Sequence, residues 1–324
     1  MRKFFIICFL SFTIVLAFGQ SSLQSPEQFL GYELGDRFTR HHRVVEYFQQ
    51  VAAARPNNVK IIQYGETYEH RPLIVAVVAS DENFKKLDQI RMDNLRRTGF
   101  EQGTPSTNVA LVWLSYNVHG NEANSTEASM KTLHAFADPS NARTQEWLKN
   151  TVVILDPCIN PDGRDRYANF YNQYGNYPPN PSIDSKEHRE PWPGGRANHY
   201  LFDLNRDWAW QTQTESQARI KLYNQWMPHV HVDFHEQFYN NPYYFAPAAE
   251  PLHEVISKWQ REFETMIGKN NAKYFDEQGW LYFTKERFDL YYPSYGDTYP
   301  TYSGAIGMTY EQGGHGFGGL TVTT

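Results

Sequence analysis

The segment from residue 109 to residue 137 constrains the fold of this 324-residue chain more than any other part. Its apolar run Val109–Tyr116 predicts a buried strand, and Ala123–Ala137 has the pattern of a helix. His119-Gly120-Asn121-Glu122 lies between them, at the carboxyl end of the strand, where α/β sheets collect their binding residues. Side chains at positions i and i+3 of a starting helical turn point the same way, so His119 and Glu122 can reach one ion. The sequence therefore predicts a metal-binding pair at a strand end.

Strand and helix patterns alternate along the rest of the chain, which indicates one α/β domain. Helices are predicted at 39–54, 85–97, 214–227 and 251–269, and strands at 59–64, 73–79, 151–158, 229–235 and 304–311. Two further segments show neither the helical nor the strand pattern of apolar residues. Asn160-Pro161-Asp162-Gly163 predicts a turn, and the Tyr-, Pro-, Asn- and Gly-rich stretch 164–202 predicts a long loop that we interpret as a lid.

The first residues have the composition of a signal peptide, spanning 1–19. Arg2-Lys3 form its positive region and Ala17-Phe18-Gly19 its cleavage site. The apolar region Phe4–Leu16 between them is short for a membrane span of ~20 residues. We therefore expect residues 20–324 to form the mature domain of an exported bacterial protein, periplasmic or secreted, with no stable membrane insertion after leader removal.

Charge and cysteine content argue against a nucleic-acid-binding protein and against an internal disulfide. The net charge is −6 and there is no basic stripe, which argues against a nucleic-acid partner. Cys8 leaves with the leader, so Cys158 has no cysteine left to form an internal disulfide. Cys158 belongs to a predicted strand, where we expect a small buried side chain rather than a ligand or nucleophile.

The strand at 229–235 supplies a third candidate ligand. His229, His231, Asp233 and His235 share one face of this strand because side chains alternate with a period of two. His235 alone is at the carboxyl end, level with His119 if both strands belong to one sheet, and we predict that it completes the site. His229 and His231 are expected to be structural. Two histidines and one glutamate form a catalytic zinc site that leaves one coordination position for water.

Two further segments carry charged residues suited to catalysis or binding. Glu311 ends an apolar strand and precedes Gln-Gly-Gly, so its carboxylate is either a capping group or a catalytic one. Arg206 offers a planar cation beside the amide of Asn205, which suits bidentate capture of a carboxylate, although a surface salt bridge is the alternative. Asp203 could accept the free N–H of a metal-bound His119.

Five landmarks occur in an order that resembles the zinc metallocarboxypeptidase family, which includes carboxypeptidases A and B, and in particular its bacterial members. They are, in chain order, His119 with Glu122, Asn160-Pro161-Asp162-Gly163, Asp203-x-Asn205-Arg206-x-Trp208, His235, and Thr309-Tyr310-Glu311. They cover roughly residues 35–320. The resemblance implies a single domain with a mixed, twisted central β-sheet flanked by helices.

The resemblance also implies roles at the metal. His119, Glu122 and His235 would bind one Zn²⁺ per chain. Glu311 would be the general base and later the general acid, and Asp203 would be the hydrogen-bond partner behind His119.

Substrate-binding roles follow from the same resemblance. Asn205 and Arg206 would hold the terminal carboxylate of the substrate. Arg196, in Gly194-Gly195-Arg196, would stabilise the oxyanion, with Arg189 as the alternative. Tyr292 would be the tyrosine that faces the substrate, and Tyr291 and Tyr295 are the alternatives.

The chain departs from the family pattern in two places. The loop 164–202 differs from the digestive enzymes, and the chain stops at Thr324, soon after the strand that carries Glu311. We expect that the domain lacks a closing helix or continues in a longer parent chain. Asp297 would either favour basic C-terminal residues or serve as a turn residue after Gly296.

The function that the resemblance implies is hydrolysis of the C-terminal peptide bond of peptides or proteins by a zinc-activated water. One alternative is a cell-wall peptide amidase or peptidase, or an N-acyl amino acid deacylase, on the same zinc site. A second is a non-catalytic peptide-binding domain of the same fold.

Overall fold

The computed structural model describes residues 22–317 and residue 320. The leader predicted at 1–19 lies outside these residues and stays a prediction, as does the start of the mature domain at residue 20. Within the described part of the chain, no helix combines the length and the apolar character that crossing a bilayer requires.

The described residues contain ten α-helices and ten β-strands, with 3₁₀ turns at Lys186–His188 and Leu204–Arg206. The helices are α1 (Pro26–Leu30), α2 (His41–Ala54), α3 (Asp81–Phe84), α4 (Leu87–Arg97), α5 (Asn124–Ala137), α6 (Ala142–Leu148), α7 (Pro161–Tyr174), α8 (Thr214–Trp226), α9 (Lys258–Gln278) and α10 (Thr298–Tyr302). The strands are β1 (Val59–Glu66), β2 (Pro72–Val78), β3 (Ala110–Tyr116), β4 (Thr151–Asp156), β5 (Val230–Gln237), β6 (Tyr243–Tyr244), β7 (Ala249–Leu252), β8 (Tyr282–Phe283), β9 (Asp289–Leu290) and β10 (Ile306–Gly313).

Eight of these strands form one sheet in the order β1-β2-β4-β3-β5-β10-β6-β8, and β7 pairs with β9 separately. At the centre of the large sheet, β4, β3, β5 and β10 run parallel to one another. Antiparallel pairs join β1 to β2, β2 to β4, and β10 to β6. The predicted mixed, twisted sheet flanked by helices is therefore confirmed.

Helices cover both faces of the sheet, in which β3 and β4 carry apolar side chains on both sides. One face packs on α4 and α8 through a buried core that includes Trp113 and Ile220. The other packs on α2 and α5 through a core that includes Phe48, Met130 and Val153. These two cores hold the central strands, whose carboxyl ends carry the candidate site.

The predicted turn at 160–163 and the first part of the predicted loop 164–202 are wrong, because α7 occupies this stretch. The Asn160 side chain accepts a hydrogen bond from the Gly163 backbone N–H, and Pro161 takes the first helical position. Burial of aromatic side chains on one side of α7 outweighs the weak helix propensity of its Tyr, Asn and Gly residues. That buried cluster comprises Phe38, Ala123, Tyr167, Ala168, Phe170 and Tyr171.

The helix predicted at 251–269 is also displaced. Pro251 belongs to β7, and α9 begins after Ser257, whose side chain forms a capping box with Gln260. The helix ends at Gly279, which adopts φ +68°. Every other predicted helix and strand lies within a few residues of the observed one.

Candidate active site

Three parallel strands end at one edge of the sheet and bring three predicted residues together. β3 pairs with β5 so that Tyr116 lies beside Phe234, and β5 pairs with β10 so that His235 lies beside Glu311. Side chains level with each other in a parallel sheet point to the same face. His235 and Glu311 therefore share a face, and His119, shortly after β3, reaches the same edge.

His119, Glu122 and His235 converge at this edge. The Nδ1 atom of His119 lies 2.7 Å from Oε1 of Glu122, and the Nδ1 atom of His235 lies 3.1 Å from its Oε2. The two Nδ1 atoms are 3.3 Å apart, and all three side chains are at most 4 % exposed. Among the described residues this trio can offer its donor atoms to one ion within a 4.8 Å span. Two imidazole nitrogens and a carboxylate fit zinc.

A carboxylate lies behind each histidine. His119 Nε2 donates to Oδ1 of Asp203 at 3.1 Å, and His235 Nε2 donates to Oδ2 of Asp233 at 2.9 Å. Burial opposes the charge of Asp203, yet the hydrogen bond from His119 and the nearby arginines hold the pKa of this carboxyl below its usual range. With the proton on Nε2 in both contacts, Nδ1 faces the centre unprotonated, which is the form that binds a metal.

Glycines allow the segments around the centre to approach closely. A Cβ atom on Gly120 would clash with the backbone of Gly163 and with the carbonyl oxygen of Gly195. The segment that carries Arg196 therefore packs directly beneath the loop that carries His119 and Glu122. These glycines are required because backbone meets backbone, not because of an unusual φ.

Arg196 lies beside the metal-ligand trio. Its Nη2 and Nε atoms donate to Oδ2 of Asp203 at 3.0 and 3.2 Å, and Nη1 lies 3.5 Å from Oε1 of Glu122. The alternative, Arg189, pairs with Asp184 and is 63 % exposed. The structure thus brings Arg196, and not Arg189, to the centre.

A cavity of about 340 Å³ opens beside these groups. Its walls are formed by His119, Glu122, Arg196, Asn205, His235, Glu236, Gln237, Phe238, Arg287, Phe288, Asp289, Tyr295, Asp297, Thr309, Glu311 and His315. Burial raises the pKa of the Glu311 carboxyl to about 8, and neighbouring carboxylates act in the same direction. A carboxyl group with a raised pKa beside a metal site is a candidate for proton transfer.

Comparison with known proteins decides the family. The family model for zinc carboxypeptidases matches residues 44–275, well over half of the chain. The chain belongs to the zinc carboxypeptidase family. None of the curated proteins matches the sequence.

Solved zinc carboxypeptidase structures share the fold at low sequence identity. The metallo-carboxypeptidase of Burkholderia cenocepacia is 14% identical with a TM-score of 0.57, over 84% of this chain and 59% of that one. Thrombin-activatable fibrinolysis inhibitor is 13% identical with a TM-score of 0.62, over 92% and 70%. Carboxypeptidase A of Helicoverpa armigera is 15% identical with a TM-score of 0.57, over 92% and 68%. The chain spans about three fifths of the Burkholderia protein's length.

In this member of the zinc carboxypeptidase family, one of the two residues predicted to bind a substrate carboxylate lines the cavity and the other lies beside it. Asn205 lines the cavity and its Oδ1 accepts from the Gly296 backbone N–H at 2.7 Å, so its amino group is the part that can bind a carboxylate. Arg206 lies outside the cavity walls and is 46 % exposed. Its guanidinium stacks over the Tyr295 ring at 4.6 Å, and Nη1 donates to the backbone oxygen of Asn205.

The structure favours Tyr295 over Tyr292 as the tyrosine that faces a substrate. Tyr295 lines the cavity. Tyr292 lies outside the cavity walls, because its hydroxyl accepts a hydrogen bond from Trp210 Nε1 at 2.8 Å. Tyr291 is 54% exposed and also lies outside them. Sequence position could not choose among these three because a turn sets their directions.

Asp297 lines the cavity, as the specificity interpretation requires, and it also directly precedes α10, as the turn interpretation requires. Its Oδ2 accepts from the Thr309 hydroxyl at 2.8 Å. Burial raises the pKa of the Asp297 carboxyl.

Three residues near the metal-ligand trio had no role predicted from the sequence, and of these Glu236 and His315 line the cavity. The sequence did offer an indication for Asp233, since it lies two residues before His235 and on the same face of the strand. Glu236 is buried between the backbone N–H groups of Asn124 and His315, each 2.8 Å away. His315 belongs to the glycine-rich segment after Glu311, where no local period indicates a direction.

The remaining histidines of β5 and its approach lie away from the cavity walls. His229 Nδ1 accepts from the Leu111 backbone N–H at 3.0 Å. His231 is fully buried beside Trp208, and burial lowers the pKa of its imidazole to about 3. Cys158 is buried, which suits a packing role.

Proposed function

We propose that this protein is a zinc-dependent metallocarboxypeptidase that removes C-terminal residues from peptides or proteins. The observation that carries the proposal is the convergence of His119, Glu122 and His235 in one cavity with the buried carboxyl of Glu311. Membership of the zinc carboxypeptidase family supports the reaction class. The signal peptide predicted at 1–19 supports export to the periplasm or the exterior.

The donor set supports one Zn²⁺ held by His119, Glu122 and His235. Asp203 and Asp233 fix the two imidazoles with Nδ1 directed inward. When bound, zinc polarises a carbonyl oxygen and lowers the pKa of a water molecule toward about 7.

Glu311 is the proposed proton carrier. Its carboxylate accepts a proton from the attacking water and, once protonated, delivers it to the leaving amine. Burial raises the pKa of this carboxyl group, which favours holding the transferred proton between the two steps. Glu311 is only 7% exposed, so the surrounding protein shields its carboxyl group from most bulk water.

Arg196 is the proposed electrostatic stabiliser of the oxyanion. Asp203 holds its guanidinium through two nitrogens, and Nη1 lies 3.5 Å from the ligand Glu122. A donor fixed in this way needs little reorganisation as negative charge develops on the carbonyl oxygen.

Asn205 and Arg206 are the proposed contacts for the free C-terminal carboxylate. Their adjacency in the chain offers an amide and a guanidinium to one anion. Arg206 would turn from its position over Tyr295 toward the cavity when substrate binds. Tyr295, on the wall between Arg206 and the cavity, is the proposed aromatic contact.

The deciding experiment combines metal analysis with a digest. Purified protein should contain one zinc ion per chain by elemental analysis. It should shorten a peptide library from the C-terminus, as detected by mass spectrometry, and a chelator should stop the reaction. Preferential cleavage of muropeptides or N-acyl amino acids over plain peptides would favour the alternative hydrolases. Zinc with no hydrolysis of any of these substrates would favour a binding domain.

A further inference from the structure

We infer that His315 is a further catalytic residue, whose imidazole N–H donates a hydrogen bond to the scissile carbonyl oxygen beside Arg196. The inference rests on the proposed peptide hydrolysis. It assigns chemistry to the glycine-rich segment after Glu311, which the proposed mechanism does not otherwise use.

The position of the His315 ring supports this role. His315 lines the same cavity as the metal-ligand trio and Glu311. Its Nδ1 atom lies 3.5 Å from Oε1 of Glu122, and Arg196 Nη1 lies 3.5 Å from that same oxygen. Two donors from separate segments thus approach one ligand oxygen from the cavity. We expect a substrate carbonyl that binds at the centre to come within reach of this ring.

His315 is not a fourth metal ligand. At this edge of the sheet, the described donor atoms that all lie within 4.8 Å of one another come from His119, Glu122 and His235, and His315 is outside that group. Its side chain is 36% exposed, whereas the three ligand side chains are nearly sealed. A catalytic zinc site needs three protein ligands and an open position. The His315 imidazole is therefore available to a substrate.

A buried carboxylate holds the backbone of this segment in place. Glu236 accepts from the His315 backbone N–H at Oε2 and from the Asn124 backbone N–H at Oε1, each at 2.8 Å. Gly314 permits the approach, because a Cβ atom there would overlap the Glu236 carboxylate. The segment is thereby tied to the start of α5, directly after the ligand Glu122. Such fixation is what a preorganised donor requires.

The backbone conformation of His315 indicates that its side chain has a functional role. His315 has φ +40°, in the left-handed region that glycine tolerates best, and it lies between Gly314 and Gly316. A side chain kept where glycine would be less strained points to a functional requirement at that position.

The test compares His315→Gly with wild-type holoenzyme. Glycine relieves the left-handed strain, so the melting temperature should not fall, while loss of one oxyanion donor should lower kcat by about 10²-fold. Zinc content should stay at one per chain and KM should change little. Affinity for a phosphonate peptide, which carries a tetrahedral anionic centre, should fall by a factor similar to that for kcat.

Two further variants sharpen the comparison. His315→Gln keeps an N–H donor and should recover part of the lost kcat. Gln312→Ala, on β10 and outside the cavity walls, is the matched control and should behave as wild type.

Several outcomes would overturn the inference. Wild-type kcat and wild-type phosphonate affinity in His315→Gly would remove His315 from the reaction. Loss of zinc in that variant would make it part of the metal centre instead. A wild-type protein that holds zinc but neither cleaves peptides nor binds the phosphonate would overturn the proposed function together with this inference.

Discussion

Asp233 accepts a hydrogen bond at 2.9 Å from Nε2 of His235, two residues further along the same face of β5. Asp203 does the same for His119 from a different segment, at 3.1 Å. The two imidazoles are therefore oriented by separate parts of the chain. One depends on strand geometry alone, and the other on how the segment around Asp203 packs.

Replacing Asp233 should weaken metal binding. In Asp233→Asn the carboxylate that fixes the His235 tautomer is lost, and such partners typically contribute about 10- to 100-fold in metal affinity. Competition with a chelator of known zinc affinity measures the change. Asp184→Asn is the control, because Asp184 pairs with Arg189 on the surface. Equal affinities in the two variants would contradict the orienting role.

Glu311→Gln should keep zinc and lose turnover. The amide has nearly the shape of the carboxyl group but cannot accept the proton from water, so kcat should fall by at least about 10²-fold. Elemental analysis and steady-state kinetics on one preparation provide the comparison. A variant with wild-type kcat would exclude Glu311 as the base.

Arg206→Ala should discriminate between free and blocked peptides. Loss of a charge-assisted contact of about 1.5–3 kcal/mol lowers kcat/KM for a free C-terminus by roughly 10- to 150-fold. Peptides with an amidated C-terminus should be little affected. Arg189→Ala, at a solvent-exposed ion pair, is the control. An unchanged ratio between free and amidated peptides would contradict the clamp.

Gly120→Ala should damage the metal centre. The added Cβ meets the backbone of Gly163 and Gly195, and neither can move as a flexible side chain could. His119 and Glu122 should shift, and both zinc affinity and thermal stability should fall. Gly279→Ala strains the left-handed end of α9 with nothing within 4 Å of the new atom. It should lose stability but retain zinc, and equal zinc loss in both would count against the local explanation.

Glu264 should make stability depend on pH. Burial raises the pKa of this α9 carboxyl from 4.5 to about 8. Between these values the folded state holds a proton that the unfolded state has released, so the free energy of unfolding falls as pH rises. Glu264→Gln should therefore gain stability relative to wild type from pH 5 to pH 9, as measured by urea midpoints. Glu262→Gln, at an exposed pair with Lys258, should show no such trend.

The sequence by itself determined most of the longer strands and helices and three of the residues at the centre. A period of two places His235 at the end of β5, and an i to i+3 spacing joins His119 to Glu122. These are local patterns, since side-chain direction follows from secondary structure within a few residues. The family and the mixed sheet were predicted on different grounds, from the resemblance of five landmarks in chain order to the zinc carboxypeptidases.

Only the tertiary structure decided what surrounds that centre. It places a helix at 161–174, where composition predicted a turn and a loop, because buried aromatic contacts with Phe38 come from a distant segment. It places Tyr295 rather than Tyr292 on the cavity, and it brings His315 to Glu122 through the buried Glu236. Contacts between segments far apart in the chain, and backbone approaches at Gly120 and Gly314, leave no local period in a sequence.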